Sequence, residues 1–114
     1  MEIIINFERD INASEKHYFD LTDPTLKDDL GIVTRDYAPY KNIKLINAGS
    51  SKLKLKINNM KAGIVVPANT IFELEYYAIN SVEVENLDST IAGKYYLILD
   101  TFDNLKTLIK QLVR

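Results

Sequence analysis

Between Asn47 and Asn86 a lysine-alternating strand, a Val-Pro-Ala-Asn corner and two glutamate-alternating strands follow one another with almost no spare residues. In Lys52-Leu53-Lys54-Leu55-Lys56-Ile57 every second side chain is apolar. A period of two places Leu53, Leu55 and Ile57 on one face of a strand and the three lysines on the other. Phe72, Leu74 and Tyr76 alternate with Glu73, Glu75 and Tyr77 in the same way, and Val82 and Val84 alternate with Glu83 and Glu85. The run specifies a half-buried antiparallel sheet, because one face is apolar and the other charged.

Turn residues punctuate the run. Gly49-Ser50-Ser51 predicts a hairpin joining the strand from Asn42 to the lysine strand. Asn58 to Gly63 is a second turn, since asparagine and glycine tolerate positive φ. Ile64 to Val66 is a short strand closed by Pro67-Ala68-Asn69. Lys94 to Asp100 is apolar on both faces, with Tyr95, Leu97 and Leu99 against Tyr96 and Ile98, which predicts a central or covered strand.

The first 41 residues read as an irregular region with one or two strands, at Glu2 to Phe7 and Lys16 to Leu21. Asp23 to Gly31 suits a loop or one helical turn, Asp23 being a cap and Pro24 a first helical residue. Ile32 to Tyr37 is weakly extended, and the residue before Pro39 avoids the helical region. From Phe102 to Val113 the apolar residues Phe102, Leu105, Leu108, Ile109, Leu112 and Val113 recur at helical spacing behind Thr101, which predicts a C-terminal amphipathic helix.

A chain of 114 residues is one domain: an irregular region over 1–41, a β-sandwich core over 42–100 and the helix over 101–114. The expected fold is a mainly antiparallel β-sandwich, jelly-roll or immunoglobulin-like, with that terminal helix. A composition 46% hydrophobic and 26% charged is that of a folded globular chain. The net charge of -2, with no separate basic cluster, gives no reason to expect nucleic acid. No segment reads as a secretory signal or a membrane span.

The residues that could carry chemistry are few. The absence of cysteine excludes disulfides and thiolate ligands, and His17, the one histidine, excludes a multi-histidine metal site. No nucleophile motif accompanies His17, so it reads as a strand histidine. Asp20, Asp23, Asp28 and Asp29 match no local metal motif and read as a solvated turn. The lysine ladder at 52, 54 and 56 and the glutamates at 73, 75, 83 and 85 are explained together as opposite charges paired across strands. Neighbours in a strand point to opposite faces, so in the pairs 76–77 and 95–96 one tyrosine of each is displayed. Tyr77 and Tyr96 are therefore candidate interface or ligand-platform residues, together with Phe102, Leu105, Leu108, Ile109 and Leu112 of the helix. No catalytic residue, metal or cofactor is expected.

The phrases Asn47 to Asn59, Ile64 to Asn69 and Ile79 to Asn86, with Tyr37-Ala38-Pro39-Tyr40 before them, resemble small β-sandwich modules of bacteriophage and related virus particles. The resemblance spans about half the chain. It implies a non-enzymatic virion component, a capsid decoration, fibre-base or adaptor subunit, made in the host cytoplasm. Its implied partners are further copies of itself and other virion proteins, without nucleic acid or membrane. The alternative is a small ligand- or carbohydrate-binding sandwich that uses Tyr77, Tyr96 and a loop aspartate.

Overall fold

A computed structural model describes residues 2–103. Eight strands follow in chain order: β1 (Ile4–Ile11), β2 (Lys16–Asp20), β3 (Tyr40–Asn47), β4 (Leu53–Ile57), β5 (Ile64–Val66), β6 (Ile71–Ile79), β7 (Ser81–Asn86) and β8 (Gly93–Asp100). They form two four-stranded antiparallel sheets, ordered β1-β8-β3-β6 and β2-β7-β4-β5. Every connection except β4 to β5 passes from one sheet to the other. That order is the jelly roll, the first of the two sandwich types expected.

Alternation builds the core. Ile5, Phe7 and Ile11 of β1, Tyr95, Leu97 and Leu99 of β8, and Ile43 and Leu45 of β3 face inward against Phe19, Val82, Val84, Leu53, Leu55 and Ile57 of the second sheet, all of them buried. The Phe7 and Phe19 rings meet across the sheets at 4.7 Å between centroids. The inward set 53, 55 and 57 is as the pattern predicts, and β8 is central, flanked by β1 and β3.

Several local expectations change. Gly49-Ser50-Ser51 is not a hairpin, since β3 and β4 lie in different sheets and this turn carries the chain across the sandwich. A Cβ on Gly49 would lie 2.8 Å from the Lys94 backbone nitrogen, so the crossing needs glycine for close approach. Residues Thr34–Tyr37 form a 3₁₀ turn, not an extended segment. Asp23 accepts the Thr25 backbone N–H at 2.8 Å in a local turn and starts no helix. The charge ladders split between sheets. Lys54 and Lys56 oppose Glu85 and Glu83, whereas Glu73 and Glu75 oppose Lys44 and Asn42 in the other sheet. Lys54–Glu85 and Lys44–Glu73 are ion pairs at 3.2 Å.

The β6 ladder is regular from Ile71 to Glu75 and then slips, because Tyr40 pairs with Ile79 while Asn42 pairs with Glu75. Tyr76, Tyr77 and Ala78 form this bulge, with Ala78 at a φ of 64°. A bulge re-aims side chains, so the simple alternation of the sequence ends at Glu75. The segment Thr101 to Asp103 is not helical. Thr101 instead prolongs the β1–β8 pairing, its N–H donating to the Ile3 carbonyl at 3.1 Å and its hydroxyl accepting the Ile3 N–H at 3.0 Å. The expected helix otherwise falls on residues 104–114, outside the described residues.

Three asparagines close the corners. The Asn47 amide donates to the carbonyls of Ser51, Val66 and Pro67 at 2.8, 3.1 and 3.0 Å and accepts the Gly49 N–H at 3.1 Å. Asn86 donates to Asn12 and Ile91 carbonyls at 3.2 and 2.9 Å and accepts the Asp88 N–H at 3.0 Å. Asn58 donates to Ala78 and accepts from Asn80 and Ser81. Replacing Asn47 by alanine removes its hydrogen bonds to three carbonyls and one N–H at a buried corner, of which the Pro67 carbonyl keeps the Thr70 hydroxyl, and is expected to cost about 3 kcal/mol in urea denaturation. Asn47→Asp should cost more, because it sets a carboxylate against three carbonyl oxygens.

Candidate functional site

The aspartate-rich loop is tied to β1. Asp28 is buried, and its carboxylate accepts three backbone N–H groups, from Asn6 at 3.1 Å, Leu30 at 2.9 Å and Ile32 at 2.8 Å. Asp29 accepts the Glu8 N–H and pairs with Arg9, both at 2.6 Å. Burial alone would raise the Asp29 carboxyl, but the Arg9 and Glu8 hydrogen bonds outweigh it and hold the group below its usual range. Asp20 and Asp23 accept from Thr22 and Thr25 in exposed turns. The solvated-turn reading holds for those two and fails for Asp28, which seals the outer edge of β1.

His17 faces inward from β2. Its Nδ1 lies 2.6 Å from the Tyr95 hydroxyl and its Nε2 lies 2.9 Å from Glu15 Oε1. The Asn12 N–H and then the His17 ring hold the Glu15 carboxyl below its usual range. In the neutral ring, the tautomer that donates Nε2–H to Glu15 leaves Nδ1 to accept the hydrogen bond of the Tyr95 O–H. Glu15, His17 and Tyr95 thus form one hydrogen-bonded line joining the two sheets. Tyr95 is fully buried, so this line fastens one sheet to the other. Among the described residues no group of three or more histidine or acidic side chains could hold a metal ion.

Tyr96 lies on the outer face of β8, with the Lys94 ammonium 5.5 Å from its ring centre. With Asn6, Glu8, Asp29, Leu30 and Ile98 it lines a notch of about 240 Å³. Beyond Ile98, a wider trough of about 690 Å³ runs between Lys44, Glu73, Glu75, Asp100, Phe102 and Asp103. Phe102 belongs to that trough; its N–H donates to Asp100 at 3.1 Å and its carbonyl accepts from Asn42 at 2.8 Å. Tyr96 and Phe102 therefore share one sheet face, on opposite sides of Ile98. Tyr77 lies in the β6 bulge, and Leu105, Leu108, Ile109 and Leu112 lie outside the described residues.

A surface that sequence reasoning missed is the free edge of β6. This nine-residue strand ends its sheet and has β3 as its one strand neighbour among the described residues. Ile71 is 60% exposed and Tyr76 36%. The signal was the length of the alternating run, but which strand ends a sheet is a property of topology, not of its own residues.

Neither a protein-family model nor a curated protein matches the chain. Among solved structures it is similar to the Schizosaccharomyces pombe Cnp3 cupin domain, with a TM-score of 0.51 and 10% identity, over 96% of this chain and 57% of that one. The likeness is one of fold.

Two buried phenols set the alkaline limit. Tyr40, bonded to the Thr34 carbonyl at 2.8 Å, is pushed up to about 12 by burial first and then by the nearby charge of Asp28. Burial also raises Tyr95. A phenol whose folded pKa exceeds its unfolded value, about 10, stabilises the fold fully below pH 10 and loses that contribution as pH rises through the folded value. The urea midpoint should therefore fall above pH 10, with two tyrosines ionising late by ultraviolet absorbance, and Tyr40→Phe should make that fall shallower.

Proposed function

We propose that this chain is a non-enzymatic structural subunit that holds position in a larger protein assembly, of the decoration, fibre-base or adaptor kind found in virus particles. The observation that carries the reading is the flank at β6, where a long strand with exposed Ile71 and Tyr76 ends a sheet without a covering element among the described residues. A free edge of this length is a pairing surface that isolated proteins usually blunt. The jelly roll supports the reading at the level of architecture, since it serves capsid subunits, although it serves lectins and cupins as well. Partners are other copies of the chain, met through outer faces, and other proteins of the particle, met through the sheet edge as well.

The notch at Tyr96 favours a second reading, a small-ligand or carbohydrate module. At about 240 Å³ it is below the roughly 300 Å³ at which pockets begin to enclose a drug-sized ligand. A single sugar ring stacked on Tyr96 would fit that space better than an extended glycan. A glycan screen showing saturable binding that disappears in Tyr96→Ala would favour this module.

Sedimentation and native mass measurements test the structural reading. The expected result is a defined oligomer, or cosedimentation with capsid or tail particles expressed alongside the chain. A strictly monomeric protein that joins no particle would overturn it.

A further inference from the structure

We infer that the β6 edge accepts an extended segment of a different protein, with lysine or arginine at alternate positions and apolar residues between them, as an added antiparallel strand. The inference rests on the structural reading above and specifies the partner's chemistry. The regular part of the edge is Ile71 to Glu75, before the bulge. Its side chains divide cleanly: Ile71, Glu73 and Glu75 share the outer face with Lys44 and Asn42, while Phe72 and Leu74 lean on the core and stay partly exposed.

A second copy of the same edge is a poor occupant. Antiparallel pairing of residues 71–75 with themselves, faces matched, sets Glu73 directly opposite its own copy and Ile71 opposite Glu75. Sliding one copy by two residues leaves three residues paired in either direction, with Glu73 against Glu75 in one and Ile71 against Glu73 in the other. Like charges directly opposite are destabilising. Glu73 already meets Lys44 at 3.2 Å, yet its side chain remains 66% exposed, so a second cation has access from the open side. A strand with basic residues at i and i+2 places one cation beside each glutamate. Its intervening apolar residues continue the Phe72–Leu74 row over the open flank of the sandwich. Main-chain hydrogen bonds supply the common affinity of strand addition, and the alternate side chains supply the selection.

The test uses the full chain, isotope-labelled, titrated with a blocked peptide alternating lysine and valine and with its counterpart alternating glutamate and valine. The expected result is saturable binding of the lysine peptide, roughly tenfold tighter than the glutamate peptide, with the largest amide shifts at residues 71–75. The double variant Glu73→Lys, Glu75→Lys should still fold, with a thermal midpoint lowered slightly because the Lys44–Glu73 ion pair is lost and like charges then face each other across β3 and β6, and should reverse the preference. A retained preference in the folded double variant, shifts centred on another strand, or no binding at millimolar peptide would each overturn the inference. Particle association that survives the charge reversal would overturn it too while leaving the structural reading in place.

Discussion

Each time the chain leaves one sheet for the other it carries backbone N–H and C=O groups through a corner where no neighbouring strand can pair them. A buried peptide group without a partner costs about as much as a lost hydrogen bond, so a jelly roll of this size depends on how its corners are satisfied. Here carboxamides do the work at three of them. Asn47 and Asn86 are each 1% exposed, and each presents its amide to carbonyls on one side and its oxygen to an N–H two residues on. Only a side chain with both donors and acceptors in one plane can do this, which is why aspartate cannot stand in at Asn47. The Asp28 carboxylate is the complementary case, since all of its partners are N–H groups.

The same corners explain what the amino-acid pattern conceals. Alternation in Lys52–Ile57 and in Lys94–Asp100 is a local property, and both strands take the faces and positions that it implies. Pairing partners are not local. Gly49-Ser50-Ser51 has the composition of a hairpin turn, yet Asn47 folds back on Val66 and Pro67 and directs the chain to the opposite sheet. The glutamate ladder divides for the same reason: 83 and 85 face lysines of β4, while 73 and 75 face β3. Local charge pattern predicted that opposite charges would pair, but not which strands would bring them together.

The candidate surfaces were legible to different degrees. Tyr96 follows from adjacency to a buried Tyr95 in a strand, and it lies on the outer face as that rule requires. At Tyr76 and Tyr77 the rule meets a bulge, across which the inward positions pass from even numbers at Phe72 and Leu74 to odd at Ile79, and parity is lost. Asp28 looked like one of four surface aspartates because burial of a carboxylate is expected only where donors surround it. Those donors come partly from Asn6, 22 residues away, and no pattern around Asp28 announces them.

Edge protection separates the four outer strands. β1 is sealed by Asp28 and Asp29, which take the Asn6 and Glu8 N–H groups and close its open side with a loop. β5 has three residues, too few to template another strand, and β2 has five with Lys16 and Asp20 at its ends. β6 has nine. Its bulge twists away the Tyr76 end, and its two glutamates oppose pairing with another copy. These two devices limit association without removing it, because neither blocks a strand of opposite charge along Ile71–Glu75. An edge of this charge pattern disfavours its own copy and still leaves room for one selective contact.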